Sequence, residues 1–279
     1  MRRQVKAPKV RRELVPGQSE ALLKEMHLLT RDGDLNADAL RKLKQVNHLV
    51  NLLTPALDDV LERFGAPVIV DCGAGKSYLG FILYELFLKA RDKGVLLALE
   101  PRAELSAAAT ERATRLGFGR MRFQPAAIDA ACVPPRVHLV TALHACDTAT
   151  DDALALAVQH NADHVAVVPC CQAEVARQLQ AAPHKDSAFD SLHAHPWHRR
   201  EFGSHLTNVL RVLALEACGY KVTVTELVGF EHSLKNELIL GKKIRATDAQ
   251  ARARLAALVA ESGARPKLVR TLDLAPEPP

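Results

Sequence analysis

Three groups of side chains in this sequence have the types and spacing to do chemistry. Asp71, Gly73 and Gly75 follow an apolar run and precede an apolar helix that opens at Ser77, within VIVDCGAGKSYLG. A strand, a tight glycine turn and a helix N-terminus let a backbone close on a nucleotide-like ligand, and a Cβ at either glycine would obstruct the turn or the ligand. Glu100 ends the next apolar run, where a carboxylate can accept both hydroxyls of a ribose. His144, Cys146 and Asp147 end a later run, and Cys170 and Cys171 end another. His144 reads as a general base with Asp147 as its orienter, or as a residue that packs beneath a ligand and hydrogen-bonds the backbone. The thiols read as small buried apolar groups, as a thiolate nucleophile or redox sensor, or as zinc ligands. Against zinc stands the adjacency of two of them, and no metal is expected.

The elements that must position these groups alternate. Strands are predicted over Val68–Asp71, Val95–Leu99, Met121–Pro125, Val137–Leu143 and His164–Val168, with helices over 77–91, Glu104–Leu116 and Thr150–Asn161 between them. Such alternation means right-handed crossovers and a mainly parallel α/β sheet. Ligands in open sheets of this kind sit beyond the carboxyl ends of the strands, where Glu100, His144, Asp147 and the paired cysteines all fall. A helix over Phe202–Cys218 then leads to strands Tyr220–Val228 and Glu237–Lys243, an expected antiparallel hairpin with Lys235 and Asn236 in its turn. Those two residues touch an anionic substrate or simply make the turn. A last helix is expected over 247–262, and the proline-containing stretch Leu268–Pro279 reads as disordered.

Residues 1–66 form a helical preface, with helices expected over Gln18–Leu29, over Asp38–Leu53 (capped by Asp34 or Asn36) and over Pro55–Phe64. Arg41 and Lys44 share the wet face of the second, as a solvated face or as a basic ridge beside a substrate groove. The connection Ala182–Arg200, with His193, His195 and His198 and followed by His205, is irregular; its histidines suggest a metal, but without an accompanying carboxylate or cysteine pattern it reads as a mobile lid or substrate-facing loop. The expected division is therefore 1–66 as basic arm and helical extension, 67–245 as the sheet domain, and 246–279 as C-terminal helix and tail.

Composition narrows the class. The 279 residues are 48% hydrophobic and 25% charged, ordinary for a globular protein with an ample core. The longest apolar run, Tyr78–Leu88, is broken by Glu85 and falls short of the roughly 18 residues a membrane span needs. The N-terminus lacks the apolar segment of a secretory leader, and the cysteines do not suggest a disulfide framework, so a reducing cytoplasm is expected. Net charge is +5, and Arg2, Arg3, Lys6, Lys9, Arg11 and Arg12 crowd the start of the chain. Such a block is a solvated arm or a contact for a polyanion, RNA above all.

Three ligands compete for the glycine turn. A phosphate-binding P-loop requires a glycine where this chain has Val70, although Gly75-Lys76-Ser77 supplies its end. A dinucleotide turn requires a third glycine where Tyr78 stands. S-adenosylmethionine sites need an acidic residue followed by G-x-G without a fixed third glycine, and the closing antiparallel hairpin also favours this cofactor. Lys76 suits a phosphate better than a sulfonium and is expected to point aside.

With DCGAGKSYLG at 71–80, ALHACD at 142–147, VPCC at 168–171 and HSLKNELI at 232–239, the sequence resembles a branch of the class I S-adenosylmethionine-dependent methyltransferases related to the tRNA 2′-O-methyltransferases of the acceptor stem. The resemblance covers about Arg41–Lys243 and implies a Rossmann-like seven-stranded sheet with a helical N-terminal extension. It implies that Asp71, Cys72, Gly73 and Gly75 hold the methionine end of the cofactor and Glu100 its ribose. Asp129 would meet the adenine amino group, unless it caps a short helical turn, and Leu143 and His144 would line the cofactor. The related enzymes carry histidines after the paired cysteines, where this chain has Gln172-Ala173-Glu174. RNA is the expected acceptor, with a protein or small molecule, or a non-catalytic cofactor-binding scaffold, as alternatives.

Overall fold

The computed structural model describes residues 12–15, 17–29, 37–143, 145–181, 190–227 and 237–277. The basic arm up to Arg11, the expected caps Asp34 and Asn36, His144, and the hairpin residues Lys235 and Asn236 lie outside the described residues.

Strands β1 (Val68–Cys72), β2 (Val95–Leu99), β3 (Met121–Gln124), β4 (Leu139–Ala142), β5 (His164–Val167), β6 (Tyr220–Glu226) and β7 (Glu237–Lys243) form one sheet. Their order is β3-β2-β1-β4-β5-β7-β6. The first five are parallel, and β7 inserts antiparallel between β5 and β6, with Val167 opposite Ile239. The chain winds outward from β1 to β3, then returns to lay β4 on the other side of β1. A crevice therefore opens between the carboxyl ends of β1 and β4, the usual ligand position in such sheets.

Residues of β4 and β5 are buried throughout, as expected for parallel strands covered on both faces. Alternate side chains feed two cores. Val70, Cys72, Val140 and Ala142 pack with helices α5 (Thr148–Gln159), α8 (Pro196–Ala217), α9 (Ala249–Ser262) and α10 (Lys267–Thr271). Ile69, Leu96, Ala98 and Leu139 pack with α1 (Glu20–Glu25), α2 (Ala37–Arg63), α3 (Tyr78–Leu83) and α4 (Ala103–Arg115).

Four expectations need correction. The two helices expected over Asp38–Leu53 and Pro55–Phe64 are one, α2, with Pro55 inside it. An interior proline costs a helix about 3 kcal/mol, but Val50, Leu53, Leu57 and Leu61 lie on one fully buried stripe spanning the break, so packing overrides the local penalty. Helix 77–91 is shorter: α3 passes into a π-helical turn over Tyr84–Leu88, closed by the Lys89 N–H donating to the Tyr84 carbonyl at 2.8 Å. Helix α8 begins at Pro196, six residues before the expected start, with proline at the one place in a helix where its missing N–H costs nothing. The histidine-rich connection is therefore partly helical, α7 (Asp190–His193) followed by the first turns of α8. Finally, the expected disordered tail is α10, whose Leu268 and Val269 are fully buried and are followed by buried Leu274 and Ala275.

The helical preface is tied to the rest. The Asn47 side chain both accepts from the Leu14 N–H (2.8 Å) and donates to the Leu14 carbonyl (3.0 Å). Arg12 is not part of a free arm: it pairs with Asp58 at 2.7 Å and lies over the Phe87 ring at 4.6 Å.

Candidate active site

The glycine turn is built on left-handed backbone. Gly73, Gly75 and Ser77 have φ of +62°, +57° and +58°, so the chain reverses within a few residues, with the Ala74 N–H donating to the Leu99 carbonyl at 2.9 Å and the Ser77 N–H to the Ala74 carbonyl at 2.7 Å. The two glycines differ in what surrounds them. A Cβ on Gly73 would lie 3.2 Å from the Ala145 Cα, so its absence lets the turn approach the segment after β4; a Cβ on Gly75 would meet nothing within 4 Å. Gly80, one turn into the helix, takes on the close-packing task that a third glycine would have had, since its Cβ would sit 3.1 Å from Leu96 on β2. Lys76 is exposed, as expected, and its carbonyl accepts from Arg112 at 3.4 Å.

Glu100 meets this turn directly. Its Oε2 accepts from the Gly75 N–H at 2.8 Å, and its Oε1 accepts from Arg102 Nε at 2.6 Å and the Arg102 N–H at 3.2 Å. Burial of Glu100 (4% exposed) works to raise its pKa, but the Arg102 and Gly75 donors together outweigh that and hold the carboxyl below its ordinary range. Arg102 was not foreseen from the sequence; its place two residues beyond the strand end is the signal that could have found it.

Asp71 sits beneath the turn. It accepts from the Thr141 hydroxyl at 2.9 Å and is bonded by the Gly80 N–H, and full burial lifts its pKa to about 7. Cys72 is also fully buried; burial first, then the charges of Asp71 and Asp152, push its thiol well above the ordinary value. Both residues support the turn from below. Asp129 stands on a 3-10 turn (Ile128–Ala130), 61% exposed, with Lys267 of α10 at 3.7 Å. The helical-turn capping position is taken by Ala127.

Leu143 lines a cavity of about 470 Å³ walled by Tyr78, Leu79 and Ile82 of α3 and by Lys42, Gln45 and Leu49 of α2. Arg41 and Lys44 are exposed on the same helix.

The segments after β4 and β5 run side by side, and Asp147 joins them. Its N–H donates to the Cys171 carbonyl at 2.6 Å. Its Oδ1 accepts from the N–H groups of Ala173 (2.9 Å) and Glu174 (3.2 Å), and its Oδ2 accepts from Arg177 at 3.1 Å. It thus caps α6 (Glu174–Ala181) from a neighbouring loop. Partial burial alone would raise its pKa, but those donors outweigh it and lower the value. Among the described residues, these are the partners of its carboxylate, and the geometry makes Asp147 a fastener between loops. Cys146, Cys170 and Cys171 gather beside it. His195, His198 and His205 are exposed on α8 and its N-terminal flank, away from that cluster's ligand set.

Behind these loops lies a polar network that periodicity alone did not reveal. Arg211 and Asp151, each 1% exposed, form an ion pair through Arg211 Nη2 and Asp151 Oδ2. Arg211 also donates to the Asp147 carbonyl at 2.8 Å and to Asn208 at 3.2 Å. Gln172 donates to Asn208 at 3.3 Å and accepts from Ser204 at 2.9 Å, so Gln172 is an interior strut.

Residues 41–178 match the family described as methyltransferase domain. That match spans just under half of the chain. The residues present fit S-adenosylmethionine, with a glycine turn open where a Cβ would stand and a charged carboxylate at its lip. Glutathione S-transferase C-terminal domain-containing proteins of Macaca fascicularis and Homo sapiens are each 26% identical over 236 residues, or 77% of this chain. The chain spans about a third of those relatives (35%). Solved structures with a similar fold include an rRNA methylase from Streptococcus thermophilus (10% identity, TM-score 0.46, 70% of this chain and 97% of that one). A SAH-bound methyltransferase from Podospora anserina is similar at 13% identity (TM-score 0.46, 83% of this chain and 89% of that one). No helix among the described residues is long and apolar enough to cross a membrane.

Proposed function

We propose that this chain is an S-adenosylmethionine-dependent methyltransferase that acts on RNA, and that the cavity beside Leu143 receives the acceptor nucleotide. The observation that carries this reading is the composition of the cavity's outer wall. Helix α2 presents Lys42 and Gln45 to the cavity and exposed Arg41 and Lys44 beside it. Apolar side chains line the interior, as suits the face of an unstacked base, while cations outside meet the phosphates. The basic block at the chain's start and the net charge of +5 add a long-range attraction for a polyanion.

In this reading Gly73 and Gly75 admit the cofactor to close backbone contact, and Glu100, already charged and aimed by Arg102, accepts from its ribose. Asp71 and Cys72 hold the turn from below, Asp129 meets the adenine edge, and Leu143 separates cofactor from acceptor. The bound cofactor supplies an electrophilic methyl group. The protein's contribution is alignment of the acceptor for in-line displacement, plus removal of a proton where the acceptor is a hydroxyl. His144 is the proposed base, Lys235 and Asn236 the proposed substrate contacts from the β6–β7 connection, and the cytoplasm the proposed compartment. Substituting His144→Ala should then abolish turnover while leaving cofactor affinity nearly unchanged.

A second reading rests on the cavity's apolar interior, including Val46, Leu49 and Ile82, which suits a small apolar molecule equally well. Incubating the purified full chain and methyl-labelled cofactor with total RNA, total protein and small-molecule extract from cells lacking it decides between them. Label in RNA supports the proposal, and label confined to protein or small molecules overturns it.

A further inference from the structure

The three thiols beside Asp147 have no part in the account above. The Asp147–Cys171 backbone hydrogen bond locks the segments after β4 and β5 together, and the sulfur atoms of Cys146, Cys170 and Cys171 all lie within 4.8 Å of one another. Those of Cys146 and Cys170 are 2.9 Å apart. Adjacent residues in a strand point to opposite faces, which made Cys170 and Cys171 poor partners on sequence grounds. The segment from Val168 to Ala173 is irregular after β5 ends, however, and its conformation turns both sulfurs toward Cys146. Of the remaining cysteines, Cys72 and Cys218 are buried elsewhere and Cys132 stands apart from the cluster.

We propose that Cys146, Cys170 and Cys171 form a three-thiolate site for a single zinc(II) ion. Sulfur-only donors select a soft or borderline cation over magnesium or calcium. Zinc bonds sulfur at about 2.3 Å, so tetrahedral geometry sets its sulfur ligands about 3.8 Å apart. That spacing falls inside the observed spread, and the closest pair reaches it by small side-chain rotations. Cys146 and Cys171 are exposed, so the fourth position faces solvent and takes water, the arrangement of an open zinc site rather than a closed structural one.

The protons balance simply: three thiols and Zn²⁺ give the zinc tristhiolate and release three protons. Binding must displace the three thiol protons, so it weakens on acidification. The bound ion would clamp the two loops that Asp147 already joins. This site is independent of which molecule accepts the methyl group.

The test uses the full chain, reduced with a phosphine and kept free of oxygen, titrated with Co²⁺ and then Zn²⁺. The expected result is thiolate-to-cobalt charge-transfer absorption that saturates at one ion per chain and is bleached by zinc. Cys146→Ser, Cys170→Ser and Cys171→Ser should each weaken zinc binding by more than about 100-fold, beyond what outer-shell substitutions give, while Cys132→Ser leaves it unchanged. Far-UV circular dichroism shows whether each variant is folded, and the titration of the unaltered chain stands without them. No charge-transfer band in the reduced, unaltered chain overturns the proposal. So does equal binding by Cys132→Ser and the three cluster variants. A Cys146–Cys170 disulfide on air oxidation, with no zinc uptake after its reduction, also overturns it and makes the cluster a redox pair.

Discussion

The Glu100 carboxylate accepts the Gly75 backbone N–H at 2.8 Å, joining the end of β2 to the glycine turn after β1. The residue expected to grip the cofactor's ribose thus also shapes the turn that admits the cofactor. Glu100→Gln keeps the shape and removes the charge. It should weaken S-adenosylmethionine binding by about 10- to 100-fold, the worth of a hydrogen bond to a charged group, with little loss of thermal stability. Calorimetric titration measures the first and a melting curve the second.

The glycines of the turn should separate by phenotype. Gly75→Ala places a methyl in open space at φ +57°, so its stability cost is the left-handed backbone strain of about 1–2 kcal/mol. The larger effect should be on cofactor affinity. Gly73→Ala adds contact with Ala145 at 3.2 Å to the same strain, and its stability loss should exceed that of Gly75→Ala in urea unfolding.

Asp71 predicts a pH dependence. Its pKa rises from 3.8 when unfolded to about 7 when folded, so the folded state holds the proton more tightly across that interval. Its contribution to stability is fully present below about pH 4 and is lost as pH rises through 7. Asp71→Asn cannot titrate. Its melting temperature relative to the unaltered protein should rise between pH 4 and 7 and then level off; a constant difference across that range would refute the buried, proton-holding Asp71.

Asp147→Ala removes the cap of α6 and the partner of Arg177. A lost cap costs about 0.5–2 kcal/mol, and because the carboxyl is held below its ordinary range, the contribution is present above the unfolded pKa and lost on acidification. Denaturant unfolding at pH 7 and at pH 3 should show the variant's deficit shrinking at the lower value.

Asp151→Ala strands the Arg211 guanidinium, which is 1% exposed, and should destabilise by about 3–5 kcal/mol. Replacing both partners with apolar residues should restore much of that loss. A small effect in the single variant would show that Asn208 and the Asp147 carbonyl suffice to solvate Arg211.

The sequence by itself determined the sheet and the site's location. The runs Val68–Asp71, Val95–Leu99 and Val137–Leu143 read as strands buried on both faces, and crossover handedness then leaves few ways to order them, so the glycine turn and Glu100 had to meet at one crevice. The β6–β7 pairing was legible from two strand-like runs joined by a short connection, although β6 is a largely exposed edge strand of alternating residues. What only the tertiary structure decided were matters of competition and juxtaposition. Pro55 stays inside a helix because the stripe Val50–Leu61 is buried on both sides of it. The tail is ordered because Leu268 and Val269 find a core formed by α5 and α8, which no local pattern encodes. Asp147, the expected orienter of His144, caps a helix that begins 27 residues later, a role its position in the sequence does not reveal. The three thiols come from two strand ends, and sequence spacing carries no information on which way side chains turn once a strand has ended.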